Sequence, residues 1–213
     1  MKKSIFWVLG LLFSVSFAVS SCEETEGVVD PYFNWEERNQ LYIDSIARVA
    51  KANLGDEVGQ WKMILSYKQT PPNLNGSDKD VNDYVYCKIL EKGTGTVMPL
   101  FTDTAGVHYR GKLIPLYDGS EFVFDQSFQG ELNVNVAIPF YSPSVDASGN
   151  VSDLGEGMKT ATMQMVEGDR WELYVPSDLG YGDYGKNEIP GFSTLIFDLD
   201  LVEVKKLKGN PKN

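Results

Sequence analysis

The sequence predicts an α+β fold, a curved antiparallel β-sheet wrapped around a short helix, with an N-terminal helical extension. Three stretches predict it. From Arg170 to Val175, apolar Trp171, Leu173 and Val175 alternate with Arg170, Glu172 and Tyr174, the period of two that a half-buried strand requires. Leu195, Phe197, Leu199 and Leu201 alternate in the same way with Ile196, Asp198, Asp200 and Val202. A short amphipathic segment opening at Gly157 precedes both strands. The glycine-punctuated loop between them carries Tyr181, Ile189 and Pro190 to the rim of one apolar face.

Taken from its start, the chain opens with Lys2, Lys3 and Ser4, an apolar run from Ile5 to Val19, and then Ser20-Ser21-Cys22. A positive end, an apolar stretch too short to span a bilayer and small residues at the close are the layout of a secretory signal. The small residues before Cys22 resemble the lipobox of bacterial lipoproteins. That resemblance implies cleavage before Cys22, a diacylglycerol on its thiol, and a protein tethered to a membrane rather than spanning it. Glu23, Glu24 and Glu26 follow at once. They read either as a solvated acidic linker or as resembling a lipoprotein export signal to the outer face of the outer membrane. The expected location is the cell envelope, at the outer membrane, on its periplasmic or outward face.

Asp30-Pro31 ends the leader. Asn34, with Glu37 three residues on, has the spacing of a capping box, and Trp35, Tyr42, Ile46 and Val49 mark one stripe of a helix from Trp35 to Asn53. Two readings of this helix stand side by side: an arm for homodimerisation or for collecting substrate, and a helix docked on its own domain. Gln60 to Tyr67 alternates as a strand, and Lys68 to Asn82, with Pro71-Pro72 and Asn75-Gly76, reads as an exposed linker. Strands follow at Tyr84–Leu90 and Ala105–Leu113. Asp118-Gly119 is a hairpin turn, Glu121–Asp125 returns, and Leu132–Ile138 alternates as a further strand. Pro139 to Gly155 is a long loop. The organisation is thus a signal peptide (1–21), a leader with a helix and an extra strand (22–82), the main domain (83–206) and a tail (207–213).

Composition narrows the function. Hydrophobic content of 42% and charged content of 23% over 213 residues suit a globular chain with a real core. A net charge of −11, more negative still without Lys2 and Lys3, opposes binding to nucleic acid. With Cys22 lipidated, Cys87 is alone in a strand, so no internal disulfide forms. Asp146, Ser148 and Asn150 lack the glycine and glutamate of a calcium loop. One histidine and one cysteine make zinc a poor prospect. No metal and no cofactor are expected. His108 alternates away from Tyr109 and reads as a structural strand residue.

Val175-Pro176-Ser177-Asp178-Leu179-Gly180-Tyr181-Gly182, then Ile189-Pro190, then Thr194 to Leu199 resemble the C-terminal half of an FKBP-type peptidyl-prolyl cis-trans isomerase. Val107 to Gly111 and Phe124 to Ser127 resemble that family's other two motifs, in the same order. The resemblance covers Tyr84 to Lys206. It implies proline-containing polypeptides as substrates and a pocket in which Tyr109 and Phe124 form one wall and Phe197 the opposite one. Asp125 would sit beside the substrate carbonyl, Tyr181 would donate its hydroxyl, and Ile189 would cover the proline ring. Met158 stands where the family carries a tryptophan floor, Val134 where it carries another aromatic, and Leu154 or Gly155 supplies the segment before the helix. Trp171 is the candidate to compensate for Met158. Met158 and Val134 also motivate a second reading, a binding module that keeps the fold with little or no catalysis, or a structural surface lipoprotein.

Overall fold

The computed structural model describes residues 29–74, 76–130, 137–145 and 151–207. Cys22, Val134, the expected strand over 132–138 for most of its length, and Asp146, Ser148 and Asn150 lie outside the described residues. The elements run α1 (Trp35–Ala52), β1 (Trp61–Leu65), β2 (Tyr84–Glu91), β3 (Thr104–Leu113), β4 (Val123–Gln126), β5 (Phe140–Ser142), β6 (Ser144–Val145), β7 (Val151–Ser152), α2 (Glu156–Thr162), β8 (Arg170–Val175) and β9 (Leu195–Lys205). The main sheet is antiparallel throughout, in the order β1-β2-β8-β9-β3-β4, with β5 also on β3. It is not closed into a barrel. The stretch expected as one long loop instead contains β5 and the small β6–β7 hairpin.

The two helices cover opposite faces, and β8 shows why. Val175 packs against α2 so closely that a Cβ on Gly157 would lie 2.3 Å from Val175 Cγ1. The preceding residue, Tyr174, points the other way. It stacks on Trp61 with ring centroids 5.5 Å apart and meets Tyr42 of α1 at 6.3 Å. Between the helices lie the buried side chains of the strands, among them Val85, Leu173, Leu199 and Leu201.

The α1 helix is docked on its own domain. Its buried side chains are Trp35, Asn39, Ile43, Ala47 and Ala50, a stripe at helical spacing but not the expected one. Val49 is exposed, whereas Tyr42 and Ile46 sit at the margin of the contact. Buried Asn39 is the anchor. Its Oδ1 accepts from Thr194 N at 2.7 Å, and its Nδ2 donates to the Trp35 carbonyl at 2.7 Å. The capping box is absent: Asn34 adopts a left-handed backbone (φ 49°), and its side chain meets Glu37 rather than the backbone. A left-handed Asn34 cannot aim its side chain at the first helical N–H groups, because capping needs an extended backbone there.

Opposite charges lace the exposed sheet surface, with Arg170 of β8 donating from Nε and an Nη to both carboxylate oxygens of Asp198 at 2.8 and 2.6 Å. Cys87 is buried and free, and burial raises its thiol pKa. His108 is 1% exposed and, among the described residues, neither ring nitrogen has a partner. Burial lowers its pKa, and its side chain is not among those lining the cavity between the sheet and α2.

Candidate active site

Strands β3, β4, β5 and β9 present four aromatic rings on the face that α2 covers. Phe197 is the hub. The Phe124 ring meets it at 5.6 Å and 87°, and the Tyr109 ring at 6.4 Å and 72°. Phe140 meets Tyr109 at 5.9 Å and 87°. These edge-to-face contacts match the quadrupole preference of aromatic rings. Tyr109, Phe124 and Phe197 therefore form one continuous wall, not two opposed ones, because β3 pairs directly with both β4 and β9.

Gly111 makes this wall feasible. It pairs with Asp125 on one side and Phe197 on the other, and a Cβ there would lie 2.5 Å from Phe124 Cε2 and 2.7 Å from Phe197 Cε1. Only a residue without a side chain leaves room for both rings at that crossing.

The facing side is built by Leu154, Gly155 and Met158 at the start of α2, together with Leu179, Gly180 and Tyr181. The cavity enclosed measures about 490 Å³. Tyr109, Phe124, Asp125, Leu154, Gly155, Met158, Tyr181 and Phe197 all line it. Asp125 and Tyr181, on which the enzymatic expectation depends most, thus face the same space. A larger cleft of about 710 Å³ between α1 and residues 177–194 contains none of the expected site residues.

Two expectations are corrected. Ile189 does not line the cavity but is buried behind the loop. It exchanges backbone hydrogen bonds with Lys186 at 2.9 and 3.0 Å in a tight turn, and it is Lys186 that reaches the cavity. Trp171 does not line it either. It is buried further along β8 with its indole N–H unpartnered among the described residues, so Met158 has no aromatic substitute there. The sequence reading missed Phe140, hidden in an assumed loop, and Lys186.

The polar groups are held firmly. Tyr109 Oη donates to Asp125 Oδ2 at 2.8 Å, fixing the carboxylate at the cavity edge. Ser127 pins the Tyr109 backbone, its Oγ accepting from Tyr109 N and its N–H donating to the Tyr109 carbonyl, both at 2.9 Å. Burial, then the Asp125 hydrogen bond, raises the Tyr109 phenol pKa. Tyr181 sits just before left-handed Gly182 (φ 61°) and is 36% exposed. Its pKa is also raised, first by desolvation and then by the Asp125 carboxylate. It remains a protonated donor at neutral pH. On the other rim the Leu154 N–H is already taken by Ser142 Oγ at 2.8 Å, and that hydroxyl donates to Asp153. A cavity with an aromatic wall, edged by the Tyr181 phenol, the Asp125 and Asp153 carboxylates and the Lys186 ammonium, can bind and orient an amide against the rings.

This geometry agrees with comparison to known proteins. A family model described as FKBP-type peptidyl-prolyl cis-trans isomerase matches residues 96–202, half of the chain. The FKBP-type 22 kDa peptidyl-prolyl cis-trans isomerase of Escherichia coli (strain K12) is 36% identical over 122 residues, 55% of this chain and 48% of that protein. The macrophage infectivity potentiator of Trypanosoma cruzi is 33% identical over 117 residues, 54% of this chain and 50% of that protein. The chain spans about half the length of these curated relatives. Among solved structures, a peptidyl-prolyl cis-trans isomerase from Pseudomonas syringae pv. tomato shares the fold, with a TM-score of 0.51 and 24% identity, over 84% of this chain and 100% of the other. FkpA from Escherichia coli gives a TM-score of 0.50 at 25% identity, over 81% of this chain and 62% of its own.

Fold, site and comparisons define a class: domains that hold an aromatic-walled cavity between an antiparallel sheet and a short helix. The chain belongs to the FKBP-type peptidyl-prolyl cis-trans isomerase family.

Proposed function

We propose that the protein is an active peptidyl-prolyl cis-trans isomerase whose reaction takes place in the cavity between β3, β9 and α2. The observation that carries this reading is the convergence of Tyr109, Phe124, Asp125, Tyr181 and Phe197 on one 490 Å³ space. Rotation about an X–Pro bond meets a barrier of about 18–20 kcal/mol because amide resonance must be broken. The twisted amide is less polar than the planar one, so an apolar, water-poor site favours it over the ground state. Phe197, Tyr109 and Phe124 supply the apolar wall against which the prolyl ring would pack. The Tyr181 hydroxyl donates to the carbonyl oxygen in its rotated position. Asp125, held by Tyr109, fixes the polar edge. A thousandfold acceleration needs only about 4 kcal/mol, within the range of burial and one hydrogen bond.

Beyond the reaction, the protein is proposed to assist the folding of exported proteins from a lipid anchor at Cys22, in the cell envelope and at the outer membrane. The residue pattern before Cys22 supports the anchor. Radiolabelled palmitate incorporation, lost in Cys22→Ser, tests it. Homodimerisation through α1 would use its outer face, where Leu41 and Val49 are exposed, and sedimentation at two concentrations tests that.

The test of the activity is a protease-free isomerisation assay on an apolar-X–Pro peptide. Acceleration by the protein, weakened about three- to tenfold in Tyr181→Phe, is the expected result. Met158 favours a second reading, a binding module of the same fold. Peptide binding with no acceleration would select it.

A further inference from the structure

Three charged residues line the cavity: Asp125, Asp153 and Lys186. Both carboxylates are engaged. Asp125 accepts from Tyr109 Oη, while Asp153 accepts from Ser142 Oγ and pairs with Lys159. Lys186 is different. Its Nζ lies 5.1 Å from the centre of the Tyr181 ring, and among the described residues no carboxylate comes within ion-pair distance of it.

The backbone that carries Lys186 is tightly constrained. Lys186 and Ile189 exchange both hydrogen bonds of a two-residue turn, with Asn187 left-handed at φ 53°. Gly185, at φ 69°, packs so tightly that a Cβ would lie 2.1 Å from the Ile189 carbonyl oxygen. Buried Ile189 anchors the turn from behind. The Lys186 side chain therefore extends from a constrained turn over the phenol that is proposed to hold the substrate carbonyl, with no ion pair to it among the described residues.

We propose that Lys186 determines substrate specificity by selecting peptides with an acidic residue next to the proline, whose carboxylate pairs with Nζ at the mouth of the cavity. This rests on the isomerase reading of the same cavity. The acidity of the whole chain repels any anionic peptide at long range, and that repulsion is nearly the same in every single-residue variant. A change in selectivity on altering Lys186 is thus a local effect.

The test compares peptide pairs that differ only in Glu against Gln, placed immediately before or immediately after the proline. kcat/KM is read at one fixed, low ionic strength for the wild type, Lys186→Gln, Lys186→Glu and Lys186→Arg. At one of the two positions the Glu:Gln ratio should fall about two- to fivefold in Lys186→Gln, the range of an exposed ion pair. It should fall further in Lys186→Glu and be retained in Lys186→Arg. Glu:Gln ratios unchanged across all four proteins at both positions would overturn the proposal. If the wild type does not accelerate even the Gln peptides, it is the isomerase reading that has failed. The same ratios, taken then from peptide dissociation constants, still decide the role of Lys186.

Discussion

The indole N–H of Trp35 donates to Ser193 Oγ at 2.9 Å, across 158 residues of sequence, and the same Ser193 hydroxyl donates to the Pro190 carbonyl at 2.6 Å. Through this pair the N-terminal helix is bonded to the loop that frames the cavity. Next to it, Thr194 at the head of β9 is bonded to Asn39. The extension that precedes the family's domain is therefore part of the same folded unit.

Removing the Asn39 side chain should be costly. Asn39→Ala leaves the buried Thr194 N–H without its acceptor and opens space at the foot of α1. A loss of about 1–3 kcal/mol is expected, measured as a lowered denaturant midpoint with an unchanged slope. Trp35→Phe, which removes the indole N–H and part of the buried ring system, should cost about 1–3 kcal/mol.

These contacts also show how far the sequence was legible. The alternation in Arg170–Val175 and Leu195–Val202 placed β8 and β9 correctly, since period two survives wherever one face is buried. The α1 stripe was misplaced because its true inner positions include Asn39, Ala47 and Ala50, whose polarity or small size gives a weak hydrophobic signal. Phe140 was missed because β5 is three residues long and flanked by prolines, too short to show any period. The loop pattern places Ile189 at the rim of the apolar face and the resemblance gives it the proline ring to cover, but the turn that buries it leaves no mark in composition. Tyr109, Phe124, Asp125, Tyr181 and Phe197 were found because their motifs occur in order, which does not depend on local periodicity.

Gly111 should tolerate no side chain. In Gly111→Ala the new methyl meets the Phe124 and Phe197 rings at distances no real contact shows, so at least one ring of the wall must shift. Overpacking of this kind costs about 1–3 kcal/mol of stability. The isomerase kcat/KM should fall at least tenfold, a larger effect than Tyr181→Phe.

Stability should depend on pH through His108. Its folded pKa lies below the ordinary 6.5 because burial penalises the charged ring. Below pH 6.5 the unfolded chain therefore binds a proton that the folded chain refuses, and stability falls as pH falls through that window, by no more than about 1.4 kcal/mol per pH unit. Asp200, paired with His108 across β3 and β9, has its pKa raised by burial. It acts in the opposite sense, the folded state gaining protons first as the solution becomes acidic. Unfolding midpoints at pH 7.5 and 5.5 should therefore separate less in His108→Leu than in the wild type.

Phe197 meets both the Tyr109 and the Phe124 rings of the cavity wall, so truncating it tests the whole arrangement at one position. The decisive measurement is kcat/KM for cis-to-trans conversion of an apolar-X–Pro peptide by the wild type and by Phe197→Ala, with circular dichroism verifying that both are folded. The expected result is clear acceleration by the wild type and a loss of about a hundredfold in the variant, the weight of one buried aromatic side chain. Equal rates in two folded proteins would contradict the assignment of catalysis to this cavity.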